Sequence, residues 1–310
     1  MSGVSQQAVE RALSRVLRVP DKARVFDQTT LAAVRVHRIP PILLEQLLDL
    51  GLPQRSVAGD RRFDSLDLEN LGISLGLPSP RRRVMRYWSR TLLRDDHERL
   101  DEHPLNVSAR CPQPGHSGAC HFELNPVVAK AIEPGSLVTG PAGQLSCRVR
   151  AAHTERLIGE PFTALIDRLS SFHFHVLPKS LHFDLGFAVE TGLATCGLAS
   201  RLAVRFATEH EVRVRAVFGY LVTPPYLAWH SWCEFDCGGE WLPADPFMLT
   251  AMARWGVPGA NRWPPNRSCG GLTWRIGEIE DLTAIVPRFH PVMHGGEPAP
   301  FTLMAQERTA

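Results

Sequence analysis

Cys196 is the first residue that its surroundings mark for chemistry. It stands in Thr191-Gly-Leu-Ala-Thr-Cys196-Gly-Leu-Ala-Ser-Arg-Leu-Ala203. Behind it Leu198, Ala199, Leu202, Ala203 and Phe206 keep the period of a buried helix, so the cysteine falls where that helix begins. A thiol there meets unpaired backbone N–H groups and the positive end of the helix dipole, and both favour the nucleophilic thiolate. The alternative is a small buried thiol at a helix start, since free cysteine is among the most buried residue types. Catalysis by such a thiolate needs a base within hydrogen-bond reach and a third group to fix the imidazole tautomer. His230 and Asp245 have the side chains for those roles.

The elements between them decide whether they can meet. Val212, Val214, Ala216 and Phe218 alternate as a strand, and Trp229-His230-Ser-Trp-Cys-Glu-Phe-Asp236 alternates as another. Gly238-Gly239 then predicts a tight hairpin turn. If Cys237 pairs with Glu240, Trp232 stands opposite Asp245, and His230 lies two residues farther along the same face. Such a diagonal pair has backbones about 7–8 Å apart, within reach of a carboxylate–imidazole hydrogen bond. Pro243 cannot donate to the ladder, so this strand must lie at an edge or be bulged, and a one-residue bulge would move the register. His230 could equally be an ordinary strand histidine, and Asp245 before Pro246 a turn residue.

Taken together, Thr195-Cys196-Gly-Leu-Ala-Ser200, Phe218-Gly219-Tyr220, His230-Ser-Trp232-Cys-Glu234 and Glu240-Trp241-Leu-Pro-Ala-Asp245-Pro246 resemble the transglutaminase-like core, over roughly residues 160–250. The resemblance implies a papain-like α+β fold with Cys196, His230 and Asp245 as the triad. It also implies one chemistry: a thiolate attacks an acyl carbon, and an amine or water resolves the thioester. The chain departs from the family at Gly197 and Leu198, where an acidic or aromatic neighbour of the glycine is more usual, so substrate-side contacts are expected to differ. Family members include calcium-dependent crosslinkers, peptidases, peptide glycanases, lasso-peptide leader peptidases and amide-forming enzymes of natural-product assembly lines. No acidic loop suited to calcium stands in the sequence, so no metal or other cofactor is expected. The leading expectation is acyl transfer or amide formation through a Cys196-bound acyl group, with a thioester or another activated acyl compound as donor, including carrier-bound thioesters of natural-product biosynthesis. A cysteine peptidase or amidase is the second reading, and a catalytically silent binding module the third.

Composition narrows the field further. The 310 residues are 44% hydrophobic and 21% charged with a net charge of +2, an ordinary globular balance that gives no reason to expect nucleic acid. No run approaches the roughly 18 consecutive apolar residues of a membrane helix, and residues 1–17 read as an amphipathic helix without a signal peptide's apolar block. Seven irregularly spaced cysteines suggest free thiols, and the expected location is cytoplasmic. Three parts are expected: a helical domain at 1–95, a linker with short strands at 96–160, and the catalytic α+β domain at 161–310 with an antiparallel sheet and the nucleophile-bearing helix. In the first part Val9, Leu13, Val16 and Leu17 form one apolar stripe, and Ile42, Leu43, Leu44, Leu47 and Leu48 a second. The polar run Arg94–His103 opens the linker.

Other features are weaker. Cys111, His116, Cys120 and His121 gather zinc-type ligands in a Gly/Pro-rich loop, but their spacing matches no usual pattern and a plain loop is the expectation. His173, His175 and His182 precede the nucleophile, where one could line the oxyanion site. Trp229, Trp232, Trp241, Trp255 and Trp263 could wall an acyl tunnel or fill a core. The N-terminal region faintly resembles an acyl carrier domain, in Val9 to Pro20 with Thr30-Leu31 and in Asp64-Ser65-Leu66. The two resemblances conflict in spacing, and Gly72, Gly76 and Pro78 should break the helix after Ser65. Ser65 is therefore expected to stay unmodified, and the domain, with Arg81, Arg82 and Arg83, to recruit an acidic carrier protein.

Overall fold

The computed structural model of the chain describes residues 4–93, 102–115, 117–140, 143–151, 156–280 and 289–305. The N-terminal elements are α1 (Gln6–Val16), β1 (Gln28–Thr29), α2 (Thr30–Arg35), α3 (Pro41–Asp49), β2 (Arg55–Val57), β3 (Asp60–Phe63), α4 (Ser65–Ser74) and α5 (Pro80–Leu93). The hydroxyl of Ser5 caps α1, and the helix turns Val9, Ala12, Leu13 and Val16 inward. Leu17 lies outside that stripe, 49% exposed. Pro41 opens α3, where a missing N–H costs nothing. Leu43, Leu44 and Leu47 are buried, but Ile42 is 86% exposed, because the first turn points it away from α1 and α4. These elements close a core of their own with Phe63, Leu68 and Leu71.

The Asp-Ser-Leu sequence is the start of α4. The Oδ1 of Asp64 accepts from the N–H groups of Leu66 and Asp67 at 2.8 and 3.1 Å, and its Oδ2 accepts from that of Val25 at 2.6 Å. Gly72 does not break the helix as expected. It lies inside α4, where a Cβ would meet the Ser79 side chain at 3.4 Å, and the chain leaves the helix at Gly76 with φ 66°. Two attachments join this region to the rest. Asn70 donates to the carbonyl of Val176 at 2.9 Å and accepts from its N–H at 2.8 Å. Met85, Trp88 and Leu92 of α5 share a core with Trp232, Met248, Leu249 and Trp263.

The middle segment contributes β4 (Glu102–Ala109), β5 (Phe122–Leu124), α6 (Pro126–Ala129), β6 (Val138–Thr139) and β7 (Gln144–Arg150). Then come α7 (Thr163–Ser171), β8 (His173–Phe174), α8 (Leu185–Thr191), β9 (Leu193–Ala194), α9 (Cys196–Glu209), β10 (Val214–Thr223), β11 (Tyr226–Asp236), β12 (Trp241–Ala244) and α10 (Pro246–Arg254). Last are β13 (Thr273–Glu278), β14 (Val292–His294), β15 (Glu297–Pro298) and β16 (Phe301–Ala305). The main sheet runs β13-β10-β11-β16-β4-β7-β6, with β12 also on β11, and its pairings are antiparallel. The class is α+β. The segment read as a linker thus supplies two long strands to that sheet, joined through β16, whose Phe301 pairs with Ala109. The run Arg94–His103 lies mostly outside the described residues.

Two covering helices position the site. Leu165, Ile166 and Leu169 of α7 and Leu198, Leu202 and Phe206 of α9 pack with Cys233 and Phe235 of β11. Before α9, the short strands β8 and β9 pair in parallel, His173 with Leu193 and Phe174 with Ala194. That pairing fixes the approach of the chain to Cys196.

Candidate active site

Cys196 is the first residue of α9, as its setting suggests. Thr195 is extended at φ −90°, ψ 169°, and its hydroxyl accepts from the Leu198 N–H at 3.3 Å. The first-turn N–H groups of Cys196 and Gly197 have no acceptor within a helix, so they are unpaired by the helix itself at the end that carries the half-buried thiol.

The hairpin brings up the other two residues. Gly238 and Gly239 both have positive φ, 75° and 94°, which a two-residue turn of this hand requires. The Cys237 N–H donates to the Glu240 carbonyl at 2.8 Å, and the ladder continues through Phe235↔Leu242, Glu234↔Pro243 and Cys233↔Ala244 without a bulge. Hydrogen-bonded pairs alternate along an antiparallel ladder, so counting from Cys237 the Glu234↔Pro243 pair is a non-bonded one. The proline nitrogen therefore faces away from β11 and no ladder bond is lost. On that outer side the Pro243 carbonyl accepts from the Cys269 N–H at 2.9 Å.

His230 and Asp245 meet at the end of this ladder. The Nε2 of His230 lies 2.5 Å from the Oδ2 of Asp245, with both side chains buried. Asp245 has a second attachment: its Oδ1 accepts from the Met248 N–H at 2.9 Å, capping α10. It is a turn residue and a histidine partner at once. With Nε2 occupied, Nδ1 is the ring nitrogen left for the sulfur, and His230 is close enough to Cys196 to favour its thiolate. The Ser231 N–H favours the thiolate form of the same sulfur. It is free to do so because β12 covers that edge of β11 only from Cys233 onward, and β16 meets β11 at Tyr226.

The electrostatics follow from these contacts. Burial pushes the Cys196 thiol up, but the hydrogen bond and charge of His230, with the Ser231 N–H, outweigh it and leave the thiol below its ordinary pKa. Burial pushes His230 down, whereas the bond and charge of Asp245, then of Cys196, raise it well above the usual histidine value. The two shifts together favour a thiolate–imidazolium pair at neutral pH.

Neighbouring residues hold this group in place. The Trp232 ring stacks on His230 with centroids 6.1 Å apart and planes 15° apart. Gly219 pairs with His230 across the sheet, and a Cβ there would meet the Trp274 carbonyl oxygen at 2.0 Å and the Trp232 ring at 2.9 Å. Glu234 is fixed by Arg215 at 2.6 Å and Arg275 at 3.1 Å, tying β11 to β10 and β13.

The remaining candidates fall elsewhere. The His182 ring contacts the Leu177 carbonyl at 2.8 Å, and His173 accepts from Arg254. His175 is buried beside β9, and its N–H donates to the Ala194 carbonyl at 2.9 Å. Trp232 and Trp263 lie in the core, Trp241 lies under the Arg215 guanidinium, and Trp229 is 37% exposed. Cys111, Cys120 and His121 line one cavity. His116 lies outside the described residues, among which no group of three or more His, Cys, Asp or Glu side chains could hold a metal. Arg81 pairs with Glu69. The Ser231 N–H escaped the sequence reading, since nothing local marks where a neighbouring strand stops.

No helix among the described residues is long and apolar enough to cross a membrane. No protein-family model matches the chain, and no curated protein matches it. Among solved structures the chain is similar to one from Cytophaga hutchinsonii named "Putative Cysteine Protease". That similarity is 10% sequence identity with a TM-score of 0.30, covering 68% of this chain and 88% of the other, too slight to carry an argument about fold or activity.

Proposed function

We propose that the chain is a thiol-dependent enzyme of the transglutaminase-like kind, with Cys196 as nucleophile, His230 as its acid and base and Asp245 as the residue that orients the imidazole. The observation that carries this reading is the buried 2.5 Å pair of His230 and Asp245, with His230 favouring the thiolate of Cys196 at the start of a 14-residue helix. In the first step the thiolate attacks an acyl carbon, and the developing oxyanion is met by first-turn N–H groups of α9. The tetrahedral species collapses to an acyl-thioester on Cys196 as the leaving group takes the proton from imidazolium His230. Neutral His230 then accepts the proton of an incoming amine or water, which releases the acyl group and regenerates the thiolate. In this reading the acceptor is an amine and the net reaction is acyl transfer. The donor is an acyl thioester borne by an acidic carrier protein that meets the arginines of α5. A hydrolase reading differs only in taking water.

The test is intact-mass spectrometry after incubation with a series of acyl thioesters. Wild type gains the mass of one acyl group, and Cys196→Ala gains none while melting at an unchanged temperature. An adduct of equal yield in Cys196→Ala sinks the assignment. Added amines then distinguish transfer from hydrolysis through the released product. Carrier docking is read separately: Arg83→Glu is expected to weaken binding of an acidic acyl carrier, and added salt to weaken it further.

A further inference from the structure

A second polar feature lies where α1 meets the catalytic half. Arg11 and Arg15 of α1, His173 and Phe174 of β8, and Arg254 and Trp255 at the end of α10 line a cavity of about 350 Å³. No acidic side chain lines it among the described residues. Arg11 and Arg15 stand four residues apart on α1, a spacing at which like charges destabilise a helix, and Arg18 follows just past its C-cap Leu17. Arg18 is held by the Thr191 carbonyl at 2.6 Å, and Arg254 by the carbonyls of Phe172 at 2.6 Å and Ser170 at 2.8 Å. These bonds fix the positive groups without neutralising them.

The surrounding charge is felt by its neighbours. Burial, then repulsion from Arg18, Arg254 and Arg11, lowers the pKa of Arg15. His173 is pushed down to about 4 by burial and by Arg254, Arg15 and Arg18. It is therefore neutral at pH 7, and Arg254, donating to its Nδ1 at 3.3 Å, leaves Nε2–H as a further donor. Planar guanidinium groups with free N–H donors and no counter-charge match a tetrahedral dianion.

We propose that the cavity bounded by Arg11, Arg15, His173 and Arg254 binds a phosphate group. A phosphate is favoured over a single carboxylate because it answers three arginines with two charges and more acceptor oxygens. The site is close to the reaction centre. His173 pairs with Leu193, three residues before Cys196, so the two backbones lie within roughly 16 Å by chain reach and strand spacing. The phosphate could thus belong to the acyl donor itself or to a separate small ligand. Only the choice of source rests on the thiol-enzyme reading; the binding does not.

The experiment uses the full chain. Calorimetric titration with inorganic pyrophosphate is expected to give one saturable site, weakened at least ten-fold in Arg15→Gln and in Arg11→Gln and unchanged in Arg35→Gln on α2. Thermal melting checks that each variant is folded, and succinate at matched ionic strength, also titrated into wild type, serves as the carboxylate comparison. Absence of saturable binding, equal binding in the Arg11 and Arg15 variants, or succinate binding as tightly as pyrophosphate overturns the proposal. For the source, Cys196 acylation by an acyl-coenzyme A is compared with the same acyl group on phosphate-free N-acetylcysteamine. A ratio of the two rates that falls at least ten-fold in Arg15→Gln places the phosphate on the donor; an unchanged ratio alongside lost pyrophosphate binding assigns it to a separate ligand. If neither thioester acylates Cys196, the function proposed above fails while the binding result stands.

Discussion

Asp245 divides its two carboxylate oxygens between a histidine and a helix, and substitutions can separate those tasks. Asparagine caps helices as well as aspartate does, so Asp245→Asn should keep α10 and melt close to wild type. It removes the negative charge that holds imidazolium His230, and the acylation rate should fall roughly a thousand-fold. Asp245→Ala loses both tasks and should also lose about 1 kcal/mol of stability. Rates with Asp245→Asn within a few-fold of wild type would leave the residue a cap and nothing more. The shifted pKa values give a second expectation. Alkylation of Cys196 by iodoacetamide should decline with falling pH at a lower pH than for an ordinary thiol. In His230→Ala burial is opposed only by the Ser231 N–H, so that decline should move to higher pH. A profile that does not move would mean that His230 does not set the state of the sulfur.

The hairpin between β11 and β12 and the helix α9 are the elements that assemble the site, and both rest on tight backbone approaches. Gly219→Ala is the sharpest probe, because its Cβ would stand 2.0 Å from the Trp274 carbonyl oxygen. Forcing β13 and Trp232 apart should cost about 3 kcal/mol, read from thermal melting, and slow acylation through the displaced His230 stack. Much of this arrangement was legible in the sequence because its signals are local. Gly238-Gly239 fixed the turn, the turn fixed the register, and the register put Trp232 and His230 beside Asp245. The apolar period behind Cys196 likewise marked the start of α9. Where the reading fell short, the cause was non-local. Ile42 fits the apolar stripe of α3 but faces solvent, since periodicity cannot say which edge of a stripe meets a neighbour. Nothing in residues 102–150 announces that β16, nearly 200 positions later, will bind β4 into the main sheet.

At the scale of the whole molecule, the N-terminal residues are more than an attachment. Met85, Trp88 and Leu92 fill the core that holds Trp232, and loss of such side chains costs about 3 kcal/mol each, together comparable to the stability of a whole domain. A chain lacking residues 1–95 should therefore fail to give a cooperative melt. One beginning at Pro80 keeps α5 and should hold its near-ultraviolet circular dichroism better, although it forfeits the Asn70 bonds to Val176. The arginine cavity belongs to this scale as well, and the sequence concealed it because Arg11 and Arg15 meet Arg254 from opposite ends of the chain. One helix joins that cavity to the reacting sulfur. α10 begins at Asp245, which sets His230, and ends at Arg254, nine residues and roughly 13 Å along a rigid axis. With an anion seated at Arg254, the helix works as a calliper, one jaw at the thiolate and the other at the charge. If the acyl-coenzyme A comparison places the phosphate on the donor, donors would be sorted by their length between acyl carbon and anion. Lengthening α10 by a single alanine would swing Arg254 about a quarter turn out of the cavity and leave the thiolate intact but without its gauge.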